Sequence, residues 1–173
     1  MPSLTQRFQQ VFTNDRGFRF NGTLQPIEDM KIYADDYFPV RQILRVPPPV
    51  QVVPGDTVVD GMGDRYLLGE FDDRPAYQSF RCYPVNKLVD WTREVQKIDP
   101  LTEEPIGIGS QLLGRIWVLS EVVSREARGS QIKTSEEVKR VLAGADVQLM
   151  DYLDGERVVK LHDALGIKVI EVI

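Results

Sequence analysis

The chain has 173 residues, 42% hydrophobic and 27% charged, with one cysteine and a formal net charge of −5. That composition excludes a disordered chain, and the absence of any apolar run near ~20 residues excludes a helical membrane span. A chain this long buries roughly 70% of its unfolded surface, so it needs neither metal nor disulfide to fold.

The single cysteine, Cys82, allows no internal disulfide framework and fits a reducing compartment. The first residues lack a basic-then-apolar signal pattern, so synthesis in the cytosol is expected. Charge is unevenly placed. Residues 1–45 carry six Lys/Arg against five Asp/Glu, residues 46–130 nine against thirteen, and residues 131–173 six against eight. An acidic middle is a poor partner for phosphate backbones, whose binding is driven by cationic neutralisation.

Along the chain, Leu4, Phe8, Val11 and Phe12 recur at helical intervals after Ser3, a candidate N-cap, and Gly17 stops the run. Ten residues make a marginal helix without a partner surface. It either docks on its own domain or serves as an arm on a neighbouring subunit. Residues 17–34 read as irregular loop with a short strand, and Tyr33–Phe38 as an acidic, tyrosine-lined turn. Pro47-Pro48-Pro49 forces polyproline II geometry and forms a rigid entry to the barrel.

Residues 50–99 are the heart of the pattern. Asp56–Asp60 is a short β-branched strand, Gly61-Met62-Gly63-Asp64 a turn, and Arg65–Phe71 the return. Phe80–Ile98 then reads as strand for nineteen residues. That is too long for one small sheet face, so it bends at Pro84 or projects as an arm of a ribbon. Asp99–Gln111 is a loop with two prolines, two glycines and the Glu103-Glu104 pair. Leu112–Val123 is apolar on both parities and is expected to pair with the long strand, with Trp91 and Trp117 buried between them.

Toward the C-terminus, Thr134-Ser-Glu-Glu137 has the form of a capping box, followed by an apolar face of Val138, Val141 and Leu142 and a stop at Gly144. Val147–Tyr152 is a strand, and Asp154-Gly155 the strongest hairpin signal in the chain. Arg157–Leu161 returns as strand, with a helix over Glu156–Leu165 as the alternative, and Ile167–Ile173 is the last strand. The expected fold is therefore mainly β, a β-barrel or β-sandwich with a long projecting hairpin plus one or two short helices. It divides into an N-terminal arm (1–45), a barrel with the hairpin (46–130) and a C-terminal helix and strands completing the same domain (131–173).

Candidate chemistry is sparse. The one histidine, His162, stands beside Asp163 with Asp151 and Glu156 nearby in sequence, and reads as a surface or packing residue. Cys82 lies between Arg81 and Tyr83; with no second histidine to act as base, it reads as a buried thiol. Asp56, Asp60 and Asp64 match no calcium-loop spacing and straddle a hairpin, which makes them a charged barrel rim. Gly107-Ile-Gly109 followed by Gly114 lacks the strand–turn–helix context of a dinucleotide fingerprint. Tyr66, Phe71, Phe80, Tyr83 and Trp91 are stacking candidates for single-stranded nucleic acid, but the acidity of the segment favours core packing. No catalytic, cofactor-binding or metal residue is nominated, and no enzymatic activity, cofactor or membrane partner is expected.

The stretches PGDTVVDGMGDRYLLGEF, FRCYPVNKLVDW and IDPLTEEP, in that order and spacing, resemble the head-completion or stopper proteins of tailed-bacteriophage necks. The likeness runs from about Ile43 to Glu126. It implies a small β-barrel with a projecting loop and a homo-oligomeric ring around a DNA channel. It also implies contacts with adjacent neck, portal-side or tail proteins, duplex DNA as cargo only, and a place in the virion after synthesis in the host cytoplasm. An acidic channel wall would let the genome pass without sticking. Tail terminator, adaptor or baseplate component of the same particle are alternatives within this reading. A non-viral barrel that binds a protein or small ligand is the second reading, and a carboxylate hydrolase the third.

Overall fold

The computed structural model describes residues 9–26, 42–48, 52–70, 77–126, 135–164 and 166–173. These residues form twelve strands: β1 (Gln10–Asn14), β2 (Arg19–Pro26), β3 (Gln42–Val46), β4 (Thr57–Val59), β5 (Arg65–Glu70), β6 (Gln78–Pro84), β7 (Lys87–Ile98), β8 (Pro105–Glu126), β9 (Ser135–Ala143), β10 (Tyr152–Leu153), β11 (Glu156–Ala164) and β12 (Ile167–Val172). They close into two barrels, one in the order β1-β2-β3-β6-β5-β4 and the other β10-β11-β12-β9-β8-β7. Closure leaves few unpaired edges, the feature that makes open sheets prone to unwanted pairing.

The first compact unit comprises residues 1–86 with 163–167. Phe12 on β1, Phe20 on β2, Leu44 and Val46 on β3, Val58 on β4, Tyr66 and Leu68 on β5 and Phe80 and Cys82 on β6 fill its core. Phe12 and Phe20 stack with ring centroids 5.7 Å apart. β5 and β6 are buried on both parities, because Leu67, Gly69 and Tyr83 face away from that core and are still covered. Gly22 is a close-approach position. A Cβ there would stand 2.8 Å from Leu44 Cδ1 and 3.2 Å from the Arg45 carbonyl oxygen.

The second unit comprises residues 87–162 with 168–173. Its core is almost wholly aliphatic: Val89, Val118, Val141, Ala143, Val147, Leu153, Val158, Ile170 and Val172. The Asp154-Gly155 hairpin forms, with φ of 52° and 84° at the two turn residues, joining β10 to β11, but its first arm is Tyr152–Leu153 alone and not the expected strand over Val147–Tyr152. The hairpin through Gly61–Asp64 also forms, pairing Val58 with Tyr66. β7 pairs along its whole length with the first part of β8, from Lys87↔Val118 to Ile98↔Pro105, the expected long hairpin, and β8 then continues to Glu126 against β9.

The mainly β, barrel-forming character stands, but several expectations need correction. No helix occurs among the described residues. Ser135–Ala143, expected as a capped helix, is β9, held between β8 and β12; a strand paired on both sides satisfies its backbone without caps. The helix from Ser3 falls mostly on residues outside the described set, and its last positions belong to β1, where Phe12 is core. Glu156–Ala164 is strand, which removes the helical alternative there.

The strand order also divides the chain differently from arm, barrel and completing segment. Residues 10–46 supply three staves of the first barrel, and the long hairpin belongs to the second. Finally, the loop expected over Asp99–Gln111 is a tight turn at its start only. From Pro105 onward it is β8. Tyr33–Phe38 lies outside the described residues.

Candidate interaction site

Each residue singled out in the sequence has a structural post. Asp56 is nearly buried; its Oδ2 accepts from Arg16 at 2.7 Å and from the Val53 N–H at 3.2 Å, fastening the approach to β4. Asp60 Oδ1 accepts from the N–H groups of Met62 (2.8 Å) and Asp64 (2.9 Å), closing its own turn. These carboxylates shape loops, as a barrel rim does. Cys82 is buried in the first core, and burial pushes its thiol up to about 12, so it stays protonated and unreactive at neutral pH.

Tyr66, Phe80 and Tyr83 are buried, which places three of the five stacking candidates out of reach of a nucleic acid; Phe71 lies outside the described residues. His162 is exposed on β11. Among the described residues no three His, Cys, Asp or Glu stand close enough to hold a metal ion.

The constellation that sequence reading missed sits where the β7–β8 hairpin leaves the second barrel. Asp151 is 1% exposed and is the most enclosed carboxylate described. Its Oδ2 accepts from Trp91 Nε1–H at 2.8 Å, from an Arg93 guanidinium N–H at 2.9 Å and from the Gln148 N–H at 2.9 Å; its Oδ1 accepts from Arg93 Nε–H at 2.6 Å. Burial alone would raise the Asp151 carboxyl, but the hydrogen bonds from Arg93, Gln148 and Trp91 outweigh it and hold the group below its ordinary value. The Arg93 guanidinium lies 5.9 Å from the Trp91 ring centre, adding a cation–π contact.

Met150, just before Asp151, adopts a φ of 73°, a strained conformation for a non-glycine residue. The Met150 N–H donates to the Val158 carbonyl and the Val158 N–H to the Asp151 carbonyl, so β11 holds this bend in place.

A second clasp lies beside it. Asp154 Oδ1 accepts from the Asp90 N–H at 2.8 Å, and Lys87 Nζ reaches Asp154 Oδ2 at 2.5 Å. The Lys87 ammonium and the Asp90 amide hold the Asp154 carboxyl below its ordinary value. Tyr152 donates to Glu94 Oε1 at 2.7 Å. The turn between β9 and β11 therefore grips β7 at Lys87, Asp90, Trp91, Arg93 and Glu94. This is a brace with its polar groups satisfied. Trp91 and Trp117, expected to be buried, are half-buried: Trp91 packs against the margin of the second core, and Trp117 stands on the strand face opposite Ile116 and Val118, which line it.

Beyond the brace the hairpin continues as a two-stranded ribbon, Arg93–Ile98 paired with Pro105–Gln111. The tip is closed by Asp99: its N–H donates to the Glu104 carbonyl, its carbonyl accepts from Glu103 N–H, and its carboxylate accepts from Leu101 N–H at 2.8 Å. Glu103 and Glu104 are exposed in this turn. The register puts Ile98, Ile108 and Leu112 on one face, alongside Glu94, Gln96 and Ser110. Exposure along the ribbon is high: Ile98 59%, Leu101 92%, Ile106 64%, Ile108 73% and Leu112 57%. An isolated exposed aliphatic is ordinary, but five on one braced projection, three of them sharing a face with Glu94, Gln96 and Ser110, mark the ribbon as a candidate interaction surface. No protein-family model, curated protein or solved structure matches the chain.

Proposed function

We propose that this protein is a structural subunit of a tailed-phage virion, assembling with copies of itself into a ring at the head–tail junction around the DNA path. The observation that carries the reading is the braced ribbon. A buried carboxylate with four hydrogen bonds and a strained bend hold the root of a hairpin whose outer half exposes its aliphatic side chains to water. Such an arrangement costs solubility and is of use only where the ribbon is covered after docking.

Three further features support it. Both barrels carry tightly packed cores, so the units are suited to act as rigid bodies. The net charge of −5 disfavours adhesion to DNA, which enters this reading only as cargo. The likeness of residues 43–126 to neck proteins favours a ring beside portal-side or tail proteins, with tail terminator, adaptor or baseplate component as narrower alternatives.

Native mass measurement and negative-stain imaging of the purified chain test the proposal, alone and mixed with neck or tail partners. A closed ring, or incorporation into tail or neck particles, supports it. A compact monomer at concentrations far above micromolar, inert toward such partners, overturns it in favour of a non-viral binding module.

A further inference from the structure

We infer that the ribbon docks by strand pairing with the ribbon of a neighbouring copy of this chain, the outer edge of β8 over Pro105–Leu113 taking the outer edge of β7 over Arg93–Ile98. This interface rests on the self-assembly proposed for the protein and gives it a location.

The strand edges come first. β10 pairs with β7 only at Trp91 and Thr92, and β9 pairs with β8 only from Val118 onward. Among the described residues no strand pairs the far edge of Arg93–Ile98 or the far edge of Pro105–Leu113. The ribbon thus presents two open edges, six residues or about 20 Å on β7 at ~3.3 Å each, and nine residues on β8, long enough to take them.

Proteins guard such edges with charge, proline or cover, because unpaired N–H and C=O groups template the addition of another strand. Between its two register irregularities, at Ile106 and Leu113, the β8 edge carries no charge. From Ile106 through Gly114 the sequence is Ile-Gly-Ile-Gly-Ser-Gln-Leu-Leu-Gly, without one charged residue, and its only proline stands at the start, at Pro105. Gly107 and Gly109 leave one face of the strand low, and the Lys97 side chain lies across Gly109.

The occupant is set by what β8 already accepts. On its inner edge it takes β7 in antiparallel register, with Gln96 opposite Ile108, Glu94 opposite Ser110 and Thr92 opposite Leu112. Cross-strand side-chain pairs are the unit of sheet stability, and these pairs are compatible within the chain. The β7 edge of a second copy offers the same side chains in the same direction, so the same cross-strand pairs can recur, with the backbone bonds made by the alternate residues that the inner ladder leaves free. Each copy then gives one edge and takes one. That is a head-to-tail contact, and it closes into a ring when the rotation per copy allows.

Hydrogen exchange of the full-length protein, measured above and below its assembly concentration, tests the pairing. Amides of residues 93–98 and 105–113 are expected to slow by about tenfold or more on assembly, at alternate positions along each strand. The double variant Ile108→Lys with Leu112→Lys, which puts charge on the edge strand, is expected to lose that protection and the oligomer while keeping the wild-type far-UV spectrum. A ring whose ribbon amides exchange as fast as in the monomer overturns the pairing and leaves the ring reading standing. Protected ribbons in open chains or fibres uphold the pairing and overturn the ring. A chain that stays monomeric throughout overturns both.

Discussion

Replacing Asp151 by alanine removes the carboxylate on which Trp91, Arg93 and Gln148 converge. Four hydrogen bonds are lost at once, but they do not weigh equally. Arg93 is a third exposed and turns to water, so its share is that of a surface pair, about 0–1 kcal/mol. Trp91 Nε1–H and the Gln148 N–H lose an acceptor that is 1% exposed, but Trp91 is half-buried and Gln148 exposed, so each lost hydrogen bond costs about 0.5–1.5 kcal/mol. The expected destabilisation of the second barrel is therefore about 1–4 kcal/mol.

Asp151→Asn is isosteric and keeps one oxygen for the three donors now on Oδ2, losing the bond from Arg93 Nε and the charge. It is expected to cost about 1–2 kcal/mol. Both tryptophans, Trp91 and Trp117, lie in the second unit, so urea unfolding followed by tryptophan fluorescence reports on that barrel. A loss under about 0.5 kcal/mol for the alanine variant, or an asparagine variant weaker than alanine, would refute the brace.

Acid tests the same clasp from another side. Asp151 and Asp154 both have carboxyls held below their ordinary values, so the stability they contribute is present above the unfolded carboxylate pKa and is lost as pH falls through their folded values. Amide exchange at β10 and the root of β7, corrected for intrinsic rates, is expected to accelerate below about pH 4 before the first barrel responds. Gly22→Val drives a branched side chain against Leu44 and the Arg45 carbonyl and is expected to destabilise the first barrel by about 1–3 kcal/mol in chemical denaturation. Cys82, with its thiol pushed up to about 12 by burial, is expected to resist alkylation at pH 8 in the native protein and to react fully in urea.

Hairpins with strong turn chemistry were legible from sequence. Gly61–Asp64 and Asp154-Gly155 sit where the chain must reverse, and residues with positive φ fall at Gly63, Asp154 and Gly155. The β7–β8 pairing was legible from two apolar runs around a proline-marked turn. β9 was not, because it lies between two strands. Val141 and Ala143 point into the core while Leu142 is buried on the other face, so its pattern has no clean period of two and the Glu136-Glu137 pair mimics a helix start.

The two-barrel division was missed for a related reason. β1 to β3 alternate weakly, and Phe12 fits a helical spacing as readily as a strand. Asp151 was beyond reach. Its partners Trp91 and Arg93 lie 60 and 58 residues away, and no local signal announces a contact made by closing a barrel.

At the centre of the proposal, the braced ribbon is the element through which copies associate. Sedimentation velocity of the intact chain, beside a variant in which residues 96–108 are replaced by a two-residue Asn-Gly turn joining Val95 to Gly109, tests it most directly. Association through the ribbon predicts a discrete oligomer for the intact chain and a folded monomer for the trimmed one, with the far-UV spectrum of each still β. A trimmed chain that assembles as fully as the intact protein would contradict it.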